Sequence, residues 1–322
     1  MPSPTREKRK QRETSRARPE DLPEEQDIMQ SNTTFYHILG FNGEGAFGKV
    51  AKCIDLNTSE TVAIKIHKGD KDEFIEREVA MLKAVSVLDP NKNNIVRFID
   101  DFTFHGHFCL AFEMLDMSLL DLLKKRQWKP LNLNQLRPVT HQLLVAFEAL
   151  KSIGIMHTDL KPDNVMLVNH RDQPFKIKLI DFGLATHSSK MEVGLMMQTA
   201  AYRAPEVRLG LPLSESVDMW SVGCVLAFLY FGADLFPYRC EYHWMKTMVQ
   251  MVGQPADHHI LDGMRTWAFF IRDGSTGLRL RTPQEFEAVT GDEPEIYKRP
   301  FDAARNLRHA VMTYTPTTDH IQ

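Results

Sequence analysis

The chain has only four cysteines, Cys53, Cys109, Cys224 and Cys240, and no two of them form a C-x-x-C pair. That scarcity argues against a disulfide framework or a zinc site and fits reduced thiols in a cytosolic or nuclear setting. An excess of either charge is also missing, since 39 Lys and Arg face 42 Asp and Glu for a formal net charge of −3. Nothing in that balance calls for direct nucleic-acid or membrane binding. The N-terminus lacks the apolar core of a signal peptide. The longest nearly apolar run, about 217–236, is broken by Asp218, Asp234 and several small residues. It reads as a buried helix rather than a membrane span.

With 322 residues and 43% hydrophobic content, the chain can bury a sizeable core. Residues 1–34 are an exception, because they are charged and almost without apolar periodicity. Their first half is basic (Arg6, Lys8, Arg9, Lys10, Arg12, Arg16, Arg18) and their second half acidic (Glu20, Asp21, Glu24, Glu25, Asp27). Such a tail is expected to be disordered, and the basic cluster could serve as a nuclear-import signal or merely be solvated. From Phe35 to about Ala111 the pattern favours strands with one embedded helix. Residues 50–54 and 61–66 are β-prone runs joined by the turn-forming residues 55–58. Ile75, Val79 and Leu82 mark the helix. From Leu119 onward helices dominate, with Leu136, Val139, Leu143, Phe147 and Leu150 forming one stripe that Gly154 ends. A strand-rich lobe followed by a helix-rich lobe is an α+β fold with a cleft between its parts.

Five stretches stand out for their chemistry. Gly43-Glu44-Gly45-Ala46-Phe47-Gly48-Lys49-Val50 is followed by Val62-Ala63-Ile64-Lys65. Later come His157-Thr158-Asp159-Leu160-Lys161-Pro162-Asp163-Asn164, then Asp181-Phe182-Gly183, then Ala204-Pro205-Glu206. A glycine loop alone would also suit a dinucleotide fold, but here it lies between strand-like segments rather than opening a helix. In this order and spacing the five resemble the protein-kinase set, whose members handle ATP, Mg²⁺ or the acceptor hydroxyl.

That resemblance implies a role for each position. Gly43, Glu44, Gly45, Ala46, Phe47 and Gly48 would cover the ATP phosphates, with Val50 and Ala63 against the adenine. Asn42 departs from the apolar residue usual before the first glycine. Lys65 would hold the α- and β-phosphates, positioned by Glu78, whose helix phase places it among apolar neighbours. Asp159 would receive the proton of the acceptor hydroxyl, Lys161 would neutralise the transferring group, and Asn164 and Asp181 would ligate Mg²⁺. Thr199 would bridge Asp159 and Lys161. Phe112 would lie behind the adenine, Glu113, Met114 and Leu115 would form the hinge, and Met166 would pack under the purine. His157 reads as a packed imidazole beside Phe182.

Finer matches resemble the homeodomain-interacting protein kinases of the CMGC group, near the dual-specificity tyrosine-regulated kinases. They are residues 109–115, 159–167, 209–212 and 217–224, with Tyr202-Arg203-Ala204-Pro205-Glu206. The implication is a serine/threonine kinase acting on protein substrates, among them nuclear transcription factors and co-regulators, at sites followed by proline. A nuclear and partly cytoplasmic location goes with it. Thr158 departs by replacing an arginine, Met196 by occupying the place of an autophosphorylated tyrosine, and Ala200 that of a nearby arginine. These departures leave a catalytically weak pseudokinase or scaffold as the alternative. The expected lobes are 35–115 and 116–322, the second incomplete. Glu206 is expected to face the core without its usual arginine, unless Arg305 or Arg308 substitutes.

Overall fold

The structure is a computed structural model, and it describes residues 22–45, 48–68, 72–274, 277–295, 297 and 300–314. The chain divides into two compact units, one comprising residues up to 72 together with 99–112, the other residues 73–98 and everything from 113 onward. The first unit is built on strands β1 (Ile28–Gln30), β2 (Phe35–Gly45), β3 (Gly48–Asp55), β4 (Thr61–His67), β5 (Phe98–Phe104) and β6 (His107–Glu113). They form one sheet in the order β1-β2-β3-β4-β6-β5. Alternation on β4 buries Val62, Ile64 and Ile66 with Ile38, Ala51, Cys53, Phe102 and Cys109. The same alternation leaves Ala63 and Lys65 on the opposite face. The β3–β4 turn forms because Asp55 Oδ1 accepts from the N–H groups of Asn57 at 2.8 Å and Thr58 at 3.2 Å.

The tail is ordered further forward than its composition suggested. Residues 28–30 pair antiparallel with 35–37, Met29 is fully buried, and Leu22 packs against the same core. Two apolar side chains and a sheet edge to pair with are enough to order residues 22–34 despite their acidic neighbours. The basic cluster lies outside the described residues.

The second unit begins with helix α1 (Glu73–Val85), which the sequence had placed within the first lobe. Arg77 of α1 donates through Nε to Ala185 O at 3.3 Å, a contact inside this unit. Then come β7 (Met117–Ser118), α2 (Leu119–Lys125), α3 (Leu133–Ser152), β8 (Ile155–Met156), β9 (Val165–Asn169), β10 (Gln173–Leu179) and β11 (Thr186–His187). Helix α3 opens on a capping box between Asn132 and Gln135 and buries Leu136, Val139, Leu143, Phe147 and Leu150. Gly154 follows its end at φ 68°. Further on lie α4 (Pro205–Leu209), α5 (Ser216–Phe231), α6 (Glu241–Val252), α7 (Asp257–Ile260) and α8 (Thr266–Phe269). The last elements are β12 (Phe270–Arg272), β13 (Leu278–Leu280), α9 (Pro283–Thr290) and α10 (Leu307–Tyr314). Among the described residues no helix is long and apolar enough to cross a membrane. In α5 the buried Asp218 accepts from two backbone N–H groups, and Asp234 just beyond it accepts from the Tyr202 hydroxyl.

Glu206 is not the unpartnered core carboxylate that was expected. It is half-buried in the first turn of α4, where a helix N-terminus favours an acid, and accepts from the Ser216 hydroxyl at 3.0 Å. The fully buried cation of this region is instead Arg208, which pairs with Glu241 and stacks 4.3 Å from the Trp244 ring.

Candidate active site

In the first unit the candidate residues lie on β2, β3 and β4. Gly43, Glu44 and Gly45 end β2, while Ala46 and Phe47 fall outside the described residues. Asn42 sits at a register shift between β2 and β3. Gly48 has φ 150°, and a Cβ there would run into the Ile66 carbonyl, so only glycine lets β3 approach β4 this closely. Val50 pairs with Lys65 and Lys52 with Ala63. Val50, Ala63 and Lys65 therefore share the sheet face turned away from the core, an apolar floor with a cation on it.

In the second unit four candidate side chains meet within hydrogen-bonding distance. Lys161 Nζ donates to Asp159 Oδ2 at 2.6 Å, and Thr199 Oγ1 donates to Asp159 Oδ1 at 2.6 Å. Lys161 Nζ also reaches Thr199 Oγ1 at 3.4 Å. Asn164 Nδ2 donates to the Asp159 main-chain oxygen at 2.9 Å and to Oδ2 at 3.3 Å. These bonds fix the orientation of the Asp159 carboxylate, as the acceptor of a proton from a substrate hydroxyl requires.

The backbone beneath it is unusual. Thr158 has φ 61°, a left-handed conformation uncommon for a β-branched residue, and Asp181 has φ 62°. Thr158 is held there by its N–H on Asp218 Oδ1 at 2.8 Å and its Oγ1 on Leu184 O at 2.6 Å. His157 N–H donates to the other Asp218 oxygen, also at 2.8 Å. Burial pushes the Asp218 carboxyl above the usual range, and the N–H bonds from His157 and Thr158 oppose that shift. His157 is fully buried against Phe182, with ring centroids 5.2 Å apart. Its Nδ1 accepts from Asp159 N–H at 3.2 Å, so its proton sits on Nε2 and donates to Ile180 O at 2.9 Å. Reading the sequence assigned no role to Asp218. Its one signal was a carboxylate within an apolar run.

Asp181 Oδ1 accepts from Gly183 N–H at 3.3 Å. A Cβ on Gly183 would stand 3.3 Å from that oxygen and 3.6 Å from Glu78 Oε2, so the glycine leaves room between two carboxylates. Glu78 is 4% exposed, on the same face of α1 as Ile75, Val79 and Leu82. The residues present fit a hard divalent cation. Asn164 bonds Asp159 through Nδ2, and its Oδ1 and the Asp181 carboxylate are oxygen donors of the kind such a cation takes. Among the described residues no three His, Cys, Asp or Glu side chains cluster as a metal site. Glu113, Leu115 and Met166 lie on the same unit, with Leu115 buried and the other two half-buried.

The segment 194–203 is tied down by hydrogen bonds from Arg203, Arg208 and Gln198. Arg203 donates to Met197 O at 2.8 Å and Gln198 O at 2.9 Å, and Arg208 to Ala200 O at 2.6 Å. The buried Gln198 bonds Val217 O, the Ser221 hydroxyl and Ala204 N–H. Met196 is 48% exposed. Burial and Asp234 together push the Tyr202 hydroxyl far above its ordinary range.

Residues 36–265 match the protein kinase domain family. The chain belongs to the protein kinase family. As a family these kinases use ATP and a divalent metal. Homeodomain-interacting protein kinase 1 of Mus musculus is 43% identical to this kinase over 270 residues, covering 82% of the chain and 22% of that protein. Homeodomain-interacting protein kinase 2 of Mesocricetus auratus is 41% identical over 293 residues, covering 89% and 25%. Homeodomain-interacting protein kinase 4 of Mus musculus is 38% identical over 274 residues, covering 83% and 44%. The kinase thus spans about a quarter of the length of the first two relatives and under half of the third.

Proposed function

We propose that this kinase transfers the γ-phosphoryl group of ATP to serine and threonine hydroxyls of proteins. The observation that carries the reading is the Asp159–Lys161–Thr199–Asn164 cluster, with its carboxylate hydrogen-bonded on both oxygens. Asp159 accepts the proton of the incoming hydroxyl, and Lys161 offsets charge on the group in transfer. Thr199 fixes the carboxylate beside the peptide. Asn164 Oδ1 and the Asp181 carboxylate hold Mg²⁺, which when bound withdraws charge from the phosphates. Lys65 and Glu78 serve the phosphates, and Val50, Ala63, Leu115 and Met166 the adenine. The glycine stretch 43–48 covers the nucleotide.

The relatives' names speak of interaction with homeodomains, and this supports nuclear transcription regulators as substrates here too. Arg203 lies where kinases of this group shape a site for proline, which has no N–H to leave unpaired. A peptide library with serine, threonine or tyrosine as the acceptor, incubated with Mg²⁺ and ATP, tests both points. The expected product is phosphoserine and phosphothreonine with proline enriched at the next position. Label on tyrosine alone would contradict the reading, and no enrichment of proline would remove that part of it.

Regulation should differ from that of kinases switched by an activation-loop phosphotyrosine. Met196 cannot be phosphorylated, Tyr202 is 7% exposed and donates to Asp234, and the segment's carbonyls are occupied by Arg203 and Arg208. Treatment with a tyrosine phosphatase is expected to leave activity unchanged. A several-fold loss would show that another tyrosine orders the loop.

A further inference from the structure

Lys178 of β10 is 1% exposed, and its side chain has a specific destination. Its Nζ donates to Glu113 Oε1 at 2.5 Å and to Asn91 Oδ1 at 2.9 Å. The same Glu113 oxygen accepts from Arg97 N–H at 2.6 Å, and Glu113 N–H donates back to Arg97 O at 3.1 Å. With both carboxylate and N–H engaged, what Glu113 can offer an adenine is its main-chain carbonyl. The backbone around Lys178 is equally committed. Lys178 stands opposite Met166 in the β9–β10 register, and Leu179 exchanges hydrogen bonds with Asn94 and Val96. Two residues later the chain reaches Asp181, after Ile180 N–H has bonded Asn164 O at 2.9 Å. One buried ammonium therefore links the segment at Glu113, the loop 91–97 and the strand that leads into Asp181.

We propose that Lys178 is a positioning residue for the nucleotide, setting the Glu113 main chain in register with Met166 and Asp181. The proposal rests on the nucleotide site described above. A buried charge pair is often no more stabilising than an apolar pair of the same size, so stability alone does not explain it. A rigid, directional link is what an apolar pair would lack.

The test compares wild type, Lys178→Met, Lys178→Arg and the double variant Lys178→Met/Glu113→Met. The readouts are the melting temperature without nucleotide, the Kd for Mg²⁺·ATP, and KM for ATP and for peptide. Lys178→Met should melt lower and bind ATP about tenfold more weakly, with the peptide KM little changed. The double variant should recover most of the melting temperature, since no charge is left buried alone, yet keep the weakened ATP binding. Lys178→Arg should restore part of the affinity. A double variant with wild-type ATP affinity would make the pair merely structural and overturn the proposal, as would unaltered ATP binding in Lys178→Met. Wild-type protein that binds no Mg²⁺·ATP would overturn the nucleotide reading itself, and the proposal with it.

Discussion

Asp181→Ala is expected to cut phosphoryl transfer by at least about 10²–10³-fold, the loss typical when one preorganised charge-stabilising group is removed from such a site. The carboxylate is one of two metal-ligand candidates, and alanine offers no oxygen in its place. Asn164 alone would leave Mg²⁺ to phosphate and water, which hold it without fixing where it sits. The fold should survive, because main-chain bonds hold the segment on either side of Asp181, from Ile180 N–H to Asn164 O at 2.9 Å and from Ala185 N–H to Phe182 O at 3.0 Å. Some stability should still be lost, since Asp181 occupies φ 62° and alanine tolerates that region less well than aspartate. Lys65→Ala should behave alike, as it removes a cation from the face shared with Val50 and Ala63. Steady-state turnover with γ-labelled ATP, titrated with Mg²⁺, measures both variants. Equal turnover in wild type and Asp181→Ala would show that the activity arises elsewhere.

The second large effect is on stability. Asp218→Ala strands the N–H groups of His157 and Thr158, both within residues 2% exposed or less. Each orphaned buried donor costs about 1–3 kcal/mol, so the variant should lose about 2–6 kcal/mol of a total of roughly 5–15. Thr158 would also lose one of the two bonds that hold it left-handed, and Asp159 follows directly. Turnover should therefore fall even in the fraction that stays folded. Asp218→Asn should be intermediate, because an amide supplies one acceptor but sets an N–H₂ group against the second donor. Urea unfolding followed by tryptophan fluorescence measures the loss. A change below about 0.5 kcal/mol, the usual size for an unremarkable surface site, would mean that other acceptors take up the two N–H groups.

Periodic features were legible in the sequence. The β3–β4 hairpin, the stripe of α3, the buried α5 and the inward phase of Glu78 all follow from local spacing, which depends only on helix and strand geometry. Contacts between distant residues were not. The partner of Glu206, the anchoring of Thr158 by Asp218 sixty residues away and the link from Lys178 to Glu113 depend on which elements meet. Nothing in the local pattern encodes that. Residues 22–34 misled for a related reason, since composition counts charges but not the sheet edge available to Met29. The substitution of Thr158 for an arginine looked like a loss. The structure instead gives its hydroxyl a bond to Leu184 O.

The most direct measurement is transfer of label from γ-labelled ATP to a protein substrate, comparing wild type with Asp159→Asn in Mg²⁺. Asparagine keeps the shape and one acceptor but cannot take up the hydroxyl proton. The expected result is label on serine and threonine with wild type, and a rate lower by at least about 10²-fold with the variant. Wild-type transfer no faster than that of Asp159→Asn would contradict the catalytic assignment and leave the chain a kinase fold that does not act as a kinase.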